Sequence, residues 1–174
     1  MQPKQMQGSR VLLFDRLVDE NPEAQKERIS YRIYNREGLR QSVQQELMRL
    51  LNTRRAQSDV LDPAKATVLD YGLPDFSSFS AASATDRQHL TRLLSTAIAA
   101  FEPRLLHPRV ELSPTESDQR SVDGVISGQL RIGEELEPVS FPVLLRRESG
   151  SVEILQAPAL DELPEKSAPK ELPR

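Results

Sequence analysis

Four acidic side chains in the second half of the chain are the first candidates for chemistry: Glu102, Glu111, Glu116 and Asp118. Two carboxylates held roughly 5–10 Å apart in a cleft can hydrolyse a glycosidic bond. The spacing of these residues singles out no such pair, and Glu116 and Asp118 lie in a polar stretch that is typical of a solvated loop. We therefore predict no catalytic residue among them.

Other reactive side chains are few. The chain has no cysteine, and its two histidines, His89 and His107, lack the spacing of zinc ligands. The Gly-Val-Ile-Ser-Gly segment at 124–128 is not a nucleophile elbow because its serine comes one position late, and no phosphate-binding glycine loop is present. The sequence thus predicts no metal site, no cofactor and no enzyme.

One of the acids, Glu102, lies at the end of a well-marked helix. Apolar residues recur at helical spacing through segment 85–105, and Thr85 with Gln88 matches a capping box. Pro103 should end the helix, because proline has no N–H and disfavours helical angles in the residue before it.

This position places the carboxylate of Glu102 at the negative end of the helix dipole. An exposed acid is disfavoured there by about 0.3–1 kcal/mol. We expect compensation from Arg104 or Arg109 of this chain, or from an arginine or backbone N–H groups of another chain. An ordinary solvated turn is the alternative.

The remaining pattern predicts helices first and strands afterwards. A short helix is expected from Ser9, and a longer one from Arg36 to Asn52 with Asn35 as its cap. Alternating apolar residues predict strands near positions 110–112, 122–132, 139–145 and 152–154. The predicted fold is α+β, with N-terminal helices packed on a C-terminal antiparallel sheet of three to four strands.

A long stretch from Thr53 to Ala84 separates two of the helices. Loops this long are uncommon in compact domains and tend to be functional or disordered. Several apolar residues predict that this loop is pinned to the core: Val68, Leu69, Tyr71, Leu73, Phe76 and Phe79. Gly72 should supply a turn beside Pro74, and Asp70 and Asp75 could accept backbone N–H groups within the domain or across an interface.

Pro138 and Pro142 lie within the third predicted strand. Proline removes a ladder donor and belongs at an edge or a bulge, whereas a simple meander would place this strand inside the sheet. We expect either a different strand order or a bulge. Both leave a partly open edge, which a strand from another chain could join.

The composition bounds the architecture and the compartment. A chain of 174 residues is expected to form one domain, spanning 9–156, with a flexible segment at 1–8 and a proline-rich tail at 157–174 that is disordered or bound to a partner. The net charge of -3 argues against a basic nucleic-acid surface. No segment matches a signal peptide or a membrane span, so we predict a cytoplasmic protein without direct membrane insertion.

Three short motifs carry a resemblance to a known family. The segments FEPRL at 101–105, VLDYGLPD at 68–75 and LLNTR at 50–54 resemble the TssE family. TssE proteins are type VI secretion baseplate subunits, similar to the lysozyme-related wedge proteins of contractile phage tails. The resemblance runs from about Ser9 to Leu155 and omits both ends.

The resemblance implies a structural subunit, present once per wedge in a hetero-oligomer. Its implied partners are TssF, TssG and TssK-like wedge proteins and the sheath subunit, on a cytoplasmic baseplate assembled at the inner membrane. The implied interface residues are Glu102, Pro103 and Arg104, with a second set formed by Tyr71, Gly72, Leu73, Pro74 and Asp75. We expect the sheath's extended arm to pair with an edge of the sheet, so that sheath polymerisation starts there.

Two other functions remain open at this point. A lysozyme-like peptidoglycan hydrolase would reduce the turbidity of a cell-wall suspension. A generic protein-docking adaptor would fail to recover wedge components in a pull-down.

Overall fold

The computed structural model describes residues 9–10, 33–56, 61–115 and 120–155. Their elements, in chain order, are β1 (Ser9–Arg10), β2 (Ile33–Tyr34), α1 (Arg36–Asn52), α2 (Ala84–Phe101), β3 (Leu105–Pro114), β4 (Ser121–Ile132), β5 (Glu135–Arg146) and β6 (Ser151–Ile154). Two helices are thus followed by a four-stranded antiparallel sheet with the order β3-β4-β5-β6. The predicted α+β class is confirmed.

Helix α1 has the bounds and the cap that the sequence predicts. The side chain of Asn35 accepts a hydrogen bond from the backbone N–H of Gly38 at 2.8 Å, which satisfies one donor of the first turn. One face of the helix is buried in the core: Leu39, Val43, Leu47, Leu50 and Leu51. This apolar stripe fixes α1 against the sheet and against α2.

Helix α2 ends at Phe101 as predicted but begins with a different cap. The hydroxyl of Ser83, rather than that of Thr85, accepts from the N–H of Asp86 at 3.2 Å. Asp86 in turn accepts from the N–H of Ser80 at 2.8 Å, so the preceding turn is tied to the first turn of the helix. The predicted capping box of Thr85 and Gln88 is therefore wrong, because the helix begins at Ala84 with Ser83 as its cap and Thr85 already lies inside the first turn.

The sheet and the two helices enclose one core. Buried side chains from alternate positions of the strands face the helices: Val122, Ile126, Leu130, Phe141, Val143, Leu145 and Val152. Helix α2 packs along β3, and α1 packs along β6. The two outer strands of the sheet are therefore the ones that the helices reach most closely.

Pro138 and Pro142 fit a simple meander, contrary to both predicted outcomes. The pairing of β4 with β5 runs without a shift through both prolines. The carbonyl of Pro142 accepts from the N–H of Leu155 at 2.8 Å, so the backbone of Pro142 faces the β6 side. Backbone groups alternate between the two sides of a strand, so Pro138 faces the same side, beyond the end of β6. Neither proline removes a hydrogen bond to β4.

The described bulge of the sheet lies in β3 instead. The register with β4 shifts between Leu106 and Arg109, and His107 between them has a positive φ of 51°. A bulge inserts an extra residue and increases the local twist of the strand. The alternation of β3 is regular from Arg109 to Pro114.

The N-terminal predictions fall largely outside the described residues. Ser9 and Arg10 are extended and pair with Tyr34 and Ile33, so the predicted helix does not begin at Arg10. The body of that predicted helix, the predicted flexible segment 1–8 and the predicted tail 157–174 are not among the described residues.

Candidate functional site

The end of helix α1 is tied directly to the long loop that follows it. The carbonyl of Thr53 accepts from the N–H of Leu73 at 2.9 Å, and the carbonyl of Leu73 accepts from the N–H of Arg55 at 3.0 Å. These two bonds form a short parallel bridge between Arg54 and Leu73. Two of the three motifs found in the sequence, at 50–54 and 68–75, are thus held side by side.

Gly72 makes this close approach possible. Its φ of +104° is a conformation that residues with a side chain rarely adopt. A Cβ atom at this position would lie 2.5 Å from the carbonyl oxygen of Thr53. The predicted turn at Gly72 is therefore present, and the contact across it requires glycine.

Tyr71 connects the loop to the third motif. Its ring packs edge-on against the ring of Phe101, with centroids 5.3 Å apart and planes at 67°. Burial is the main reason that the pKa of Tyr71 is raised, and the nearby carboxylates of Glu46 and Glu102 add to it. All three motifs therefore meet at one place, where α1 and α2 end.

Beyond Phe101, the Glu102 carboxylate is buried and paired within the chain. Glu102 is only 2% exposed. Its Oε1 accepts from Nε of Arg104 at 2.8 Å, and its Oε2 accepts from Nη2 of Arg104 at 2.6 Å. The remaining guanidinium nitrogen, Nη1, donates to Oγ of Ser42 on α1 at 2.9 Å. This fork joins the end of α2, the start of β3 and the middle of α1.

The Glu102–Arg104 ion pair compensates the carboxylate that lies at the negative end of the α2 dipole. Arg104, rather than Arg109, supplies the compensating charge, and it does so within the chain. Burial alone would lower the pKa of Arg104, but the hydrogen bonds and charge of Glu102 outweigh burial and raise it. Such a bidentate pair fixes geometry as well as charge.

The acids of the loop make local caps. Asp70 accepts from the N–H and the hydroxyl of Thr67, both at 2.8 Å, and closes a capping box around the short helical turn Val68–Asp70. Asp75 accepts in the same way from Ser77, at 2.9 and 3.1 Å. In each case the backbone bond is the largest cause of the lowered pKa of the carboxyl group. Both acids are therefore used within the domain.

The prediction that every apolar residue of the loop is pinned to the core is wrong for two of them. Leu73 and Phe76 are buried, whereas Val68 is 89% exposed and Leu69 is 83% exposed. The capped turn at Thr67 and Asp70 directs these two side chains outward. Composition predicted their burial, but the three-residue turn decides their direction.

One residue that sequence reasoning did not single out closes an edge of the sheet. The Asn52 side chain accepts from the N–H of Val152 at 2.9 Å and donates to the carbonyl of Val152 at 2.8 Å. It therefore satisfies both outward-facing backbone groups of a residue in β6. The partners are one hundred positions apart, so no local pattern indicates the pair.

The opposite edge of the sheet, on β3, has backbone groups that face away from β4. Pro142 faces β6, so Val143 faces β4 and pairs with Gly124. Gly124 therefore faces β5, and its partner in β3, Leu112, directs its N–H and carbonyl outward. The same alternation applies to Val110. Among the described residues, no strand pairs with this side of β3.

The acids considered for catalysis do not assemble into a pair in the described part of the chain. Glu102 is engaged by Arg104, Glu111 is exposed on β3, and Glu116 and Asp118 lie outside the described residues. Within the described ranges, no three potential metal ligands come together. The helices there are also too short or too polar to span a membrane.

Comparisons with known proteins identify the family. The family model described as "Baseplate wedge protein gp25" matches residues 37–135, more than half of the chain. A chain of the solved structure "The baseplate complex from the type VI secretion system" is similar at 21% identity and a TM-score of 0.46, covering 70% of this chain and 97% of that chain. Among curated proteins, none matches significantly. By the extent of the family match, this chain belongs to the gp25 family of baseplate wedge proteins.

Proposed function

We propose that this protein is a structural subunit of a type VI secretion baseplate. The observation that carries the proposal is the family match over residues 37–135, which includes all three motifs. The subunit joins a hetero-oligomer once per wedge, on the cytoplasmic side of the inner membrane. Its partners are the TssF, TssG and TssK-like wedge proteins and the sheath subunit.

Strand addition at β3 is the proposed route to sheath attachment. The outward N–H and carbonyl groups of Val110 and Leu112 are the backbone groups that a further antiparallel strand requires. Pro108 and Pro114 flank this window, and a proline cannot donate to an added strand. We expect the sheath's extended arm to pair over the short regular stretch between them.

The three motifs at 50–54, 68–75 and 101–105, which together form the motif cluster, are the proposed wedge contact. Pro103 and Asp75 are exposed, whereas Gly72, Leu73 and Glu102 are buried and act by holding the exposed residues in place. Tyr71, Pro74 and Arg104 are half-buried between these two groups. A surface held by an ion pair, a backbone bridge and a glycine turn is preorganised, which lowers the entropic cost of binding.

Co-expression tests the proposed function directly. The tagged full chain should recover the wedge subunits of the same organism, and the assembled complex should nucleate sheath. If the tagged chain recovers other proteins but no wedge subunit, the result would contradict the baseplate assignment and favour a generic adaptor.

A further inference from the structure

Two adjacent aliphatic side chains project from the loop just before Tyr71. Val68 is 89% exposed and Leu69 is 83% exposed, whereas the other exposed large hydrophobic side chains in the described part of the chain are between 40% and 47% exposed. Single exposed apolar residues are common on protein surfaces. These two are neighbours and lie almost entirely in solvent, and we call them the apolar tip.

The apolar tip is held by bonds that involve neither of its side chains. The hydroxyl of Thr67 accepts from the N–H of Leu69 at 3.3 Å, and the N–H of Tyr71 donates to the carbonyl of Val68 at 3.3 Å. The ring of Tyr71 in turn packs against Phe101. The backbone therefore orders the tip in the free chain, which reduces the entropic cost of covering it with a partner.

The loop packs other apolar residues in the core. Leu73 is 1% exposed and Phe76 is 3% exposed. Hydrophobic stabilisation is roughly proportional to the apolar area removed from water, so the tip contributes little to the stability of the isolated chain. Burial of Val68 and Leu69 in a partner would gain the stabilisation that folding does not.

We propose that the apolar tip inserts into an apolar pocket of another baseplate subunit and anchors the wedge contact. This inference rests on the proposed function, since it assumes wedge partners. Val68 and Leu69 are the first two residues of the second motif, and Tyr71 packs against Phe101, the first residue of the third. The tip is therefore continuous with the motif cluster that forms the proposed wedge contact.

The charge and the size of the tip favour this occupant. The carboxylate of Asp70 accepts from the N–H and the hydroxyl of Thr67, so the acid of this turn is engaged locally and the tip itself presents two neutral side chains. A stable interface buries about 800 Å² on each partner. Two aliphatic side chains supply only a small part of that area, so the tip suits an anchor within a larger contact rather than a dimer of this chain.

The experiment measures the affinity of purified full-length variants for the wedge complex by biolayer interferometry. Leu69→Ser should weaken binding by about tenfold, because a buried leucine side chain is replaced by a polar one, and adding Val68→Ser should weaken it further. Leu69→Met keeps the side chain apolar at similar volume and should bind nearly as the wild type does. The matched control is Leu136→Ser on β5, an exposed leucine outside the motif cluster, which should leave the affinity unchanged.

Thermal unfolding of the free chain is measured in parallel. The variant with both Val68→Ser and Leu69→Ser should unfold at the wild-type temperature, because both side chains are exposed. A markedly lower temperature would show that another part of this chain covers the tip, and would overturn the proposal.

Three further outcomes are decisive. Wild-type affinity in the variant with both serines would overturn the anchor and leave the proposed function standing. Absence of wild-type binding to any wedge subunit would overturn both. A wild-type dimer in sedimentation velocity that the two serines dissociate would overturn the choice of occupant, because a second copy of the chain would then cover the tip; we expect a monomer in both.

Discussion

The two outer edges of the sheet are treated in opposite ways. On β6, a strand of four residues, the Asn52 amide occupies the outward N–H and carbonyl of Val152. On β3, a strand of ten residues, the outward groups of Val110 and Leu112 meet no strand in the described part of the chain. Exposed strand edges invite pairing with other chains, and proteins usually protect them. Within the described residues, one edge is protected by a side chain and the other has no strand paired to it.

Part of β5 also forms an edge of the sheet, and this stretch is protected from pairing by a proline. The residues of β5 before Pro142 extend past the described end of β6. Pro138 lies in this stretch and offers no N–H, so an added strand would lose a hydrogen bond there. Proline on β5 and asparagine beside β6 therefore both discourage pairing on the side opposite to β3.

The largest effect is expected from the Glu102–Arg104 ion pair, which holds the start of β3 against the two helices. Glu102→Ala should destabilise the domain by about 3 kcal/mol, the low end for a broken buried ion pair, because the Arg104 guanidinium that loses its carboxylate is only partly buried. Chemical denaturation of the full chain measures the change, and Ser42→Ala, which removes one partner of the same guanidinium, should cost much less. Equal, small losses for both variants would show that the pair does not anchor the start of β3.

A smaller loss is expected at the turn beside the closed edge. Gly72→Ala should cost about 1–3 kcal/mol, because alanine must adopt a positive φ and its Cβ meets the carbonyl of Thr53. Gly133→Ala is the control. Gly133 lies in a hairpin turn and also has a positive φ, but no atom lies within 4 Å of an added Cβ, so this variant measures the cost of the backbone conformation without the cost of a steric contact. Thermal unfolding measures both variants, and an equal loss of stability in the two would show that the contact with Thr53 adds nothing to the cost.

Opening the closed edge should cost less still. Asn52→Ala leaves the N–H and carbonyl of Val152 without their partner, at a cost of about 1–2 kcal/mol. It should also convert β6 into a pairing edge, so that self-association rises. Sedimentation velocity would detect that change, and a strictly monomeric Asn52→Ala protein would show that the amide is not what protects this edge.

The smallest effect concerns the capped turn that precedes Tyr71. The pKa of Asp70 is lowered by hydrogen bonds from Thr67, so the capping box is fully formed above the ordinary pKa of 3.8 and is lost as the pH falls through the lowered value. The protection factor of the amides of Leu69 and Asp70, which is the intrinsic exchange rate at each pH divided by the observed rate, should therefore fall on acidification in the wild type. In Asp70→Asn the acid-dependent change should be absent; its persistence would assign the pH dependence to another group.

Local patterns predicted the elements, and contacts between distant residues set most of the site. The cap of α1 by Asn35 and the end of α2 at Pro103 follow from neighbours in the sequence, so both were predictable. Arg104 was one of several possible partners of Glu102, because a separation of two positions permits the fork without requiring it. The Ser42 contact depends on how α1 crosses the start of β3, which periodicity does not contain.

The errors have equally physical causes. Pro138 and Pro142 seemed to contradict a meander only because the length of β6, which decides where β5 becomes an edge, could not be deduced. Val68 and Leu69 were expected in the core, yet a turn of three residues has no periodicity to indicate its buried side. The role of Asn52 could not be predicted from the sequence, since only the complete fold brings Val152 next to it.

The most direct test of the open edge compares two prolines. Leu112→Pro removes an outward N–H on β3, and Ser140→Pro removes one on the β5 stretch beyond β6, while neither breaks a bond to β4. Sheath nucleation by the reconstituted baseplate is measured for both, after circular dichroism shows that both are folded. We predict loss of sheath with Leu112→Pro and normal sheath with Ser140→Pro; normal sheath with Leu112→Pro would contradict strand addition at β3.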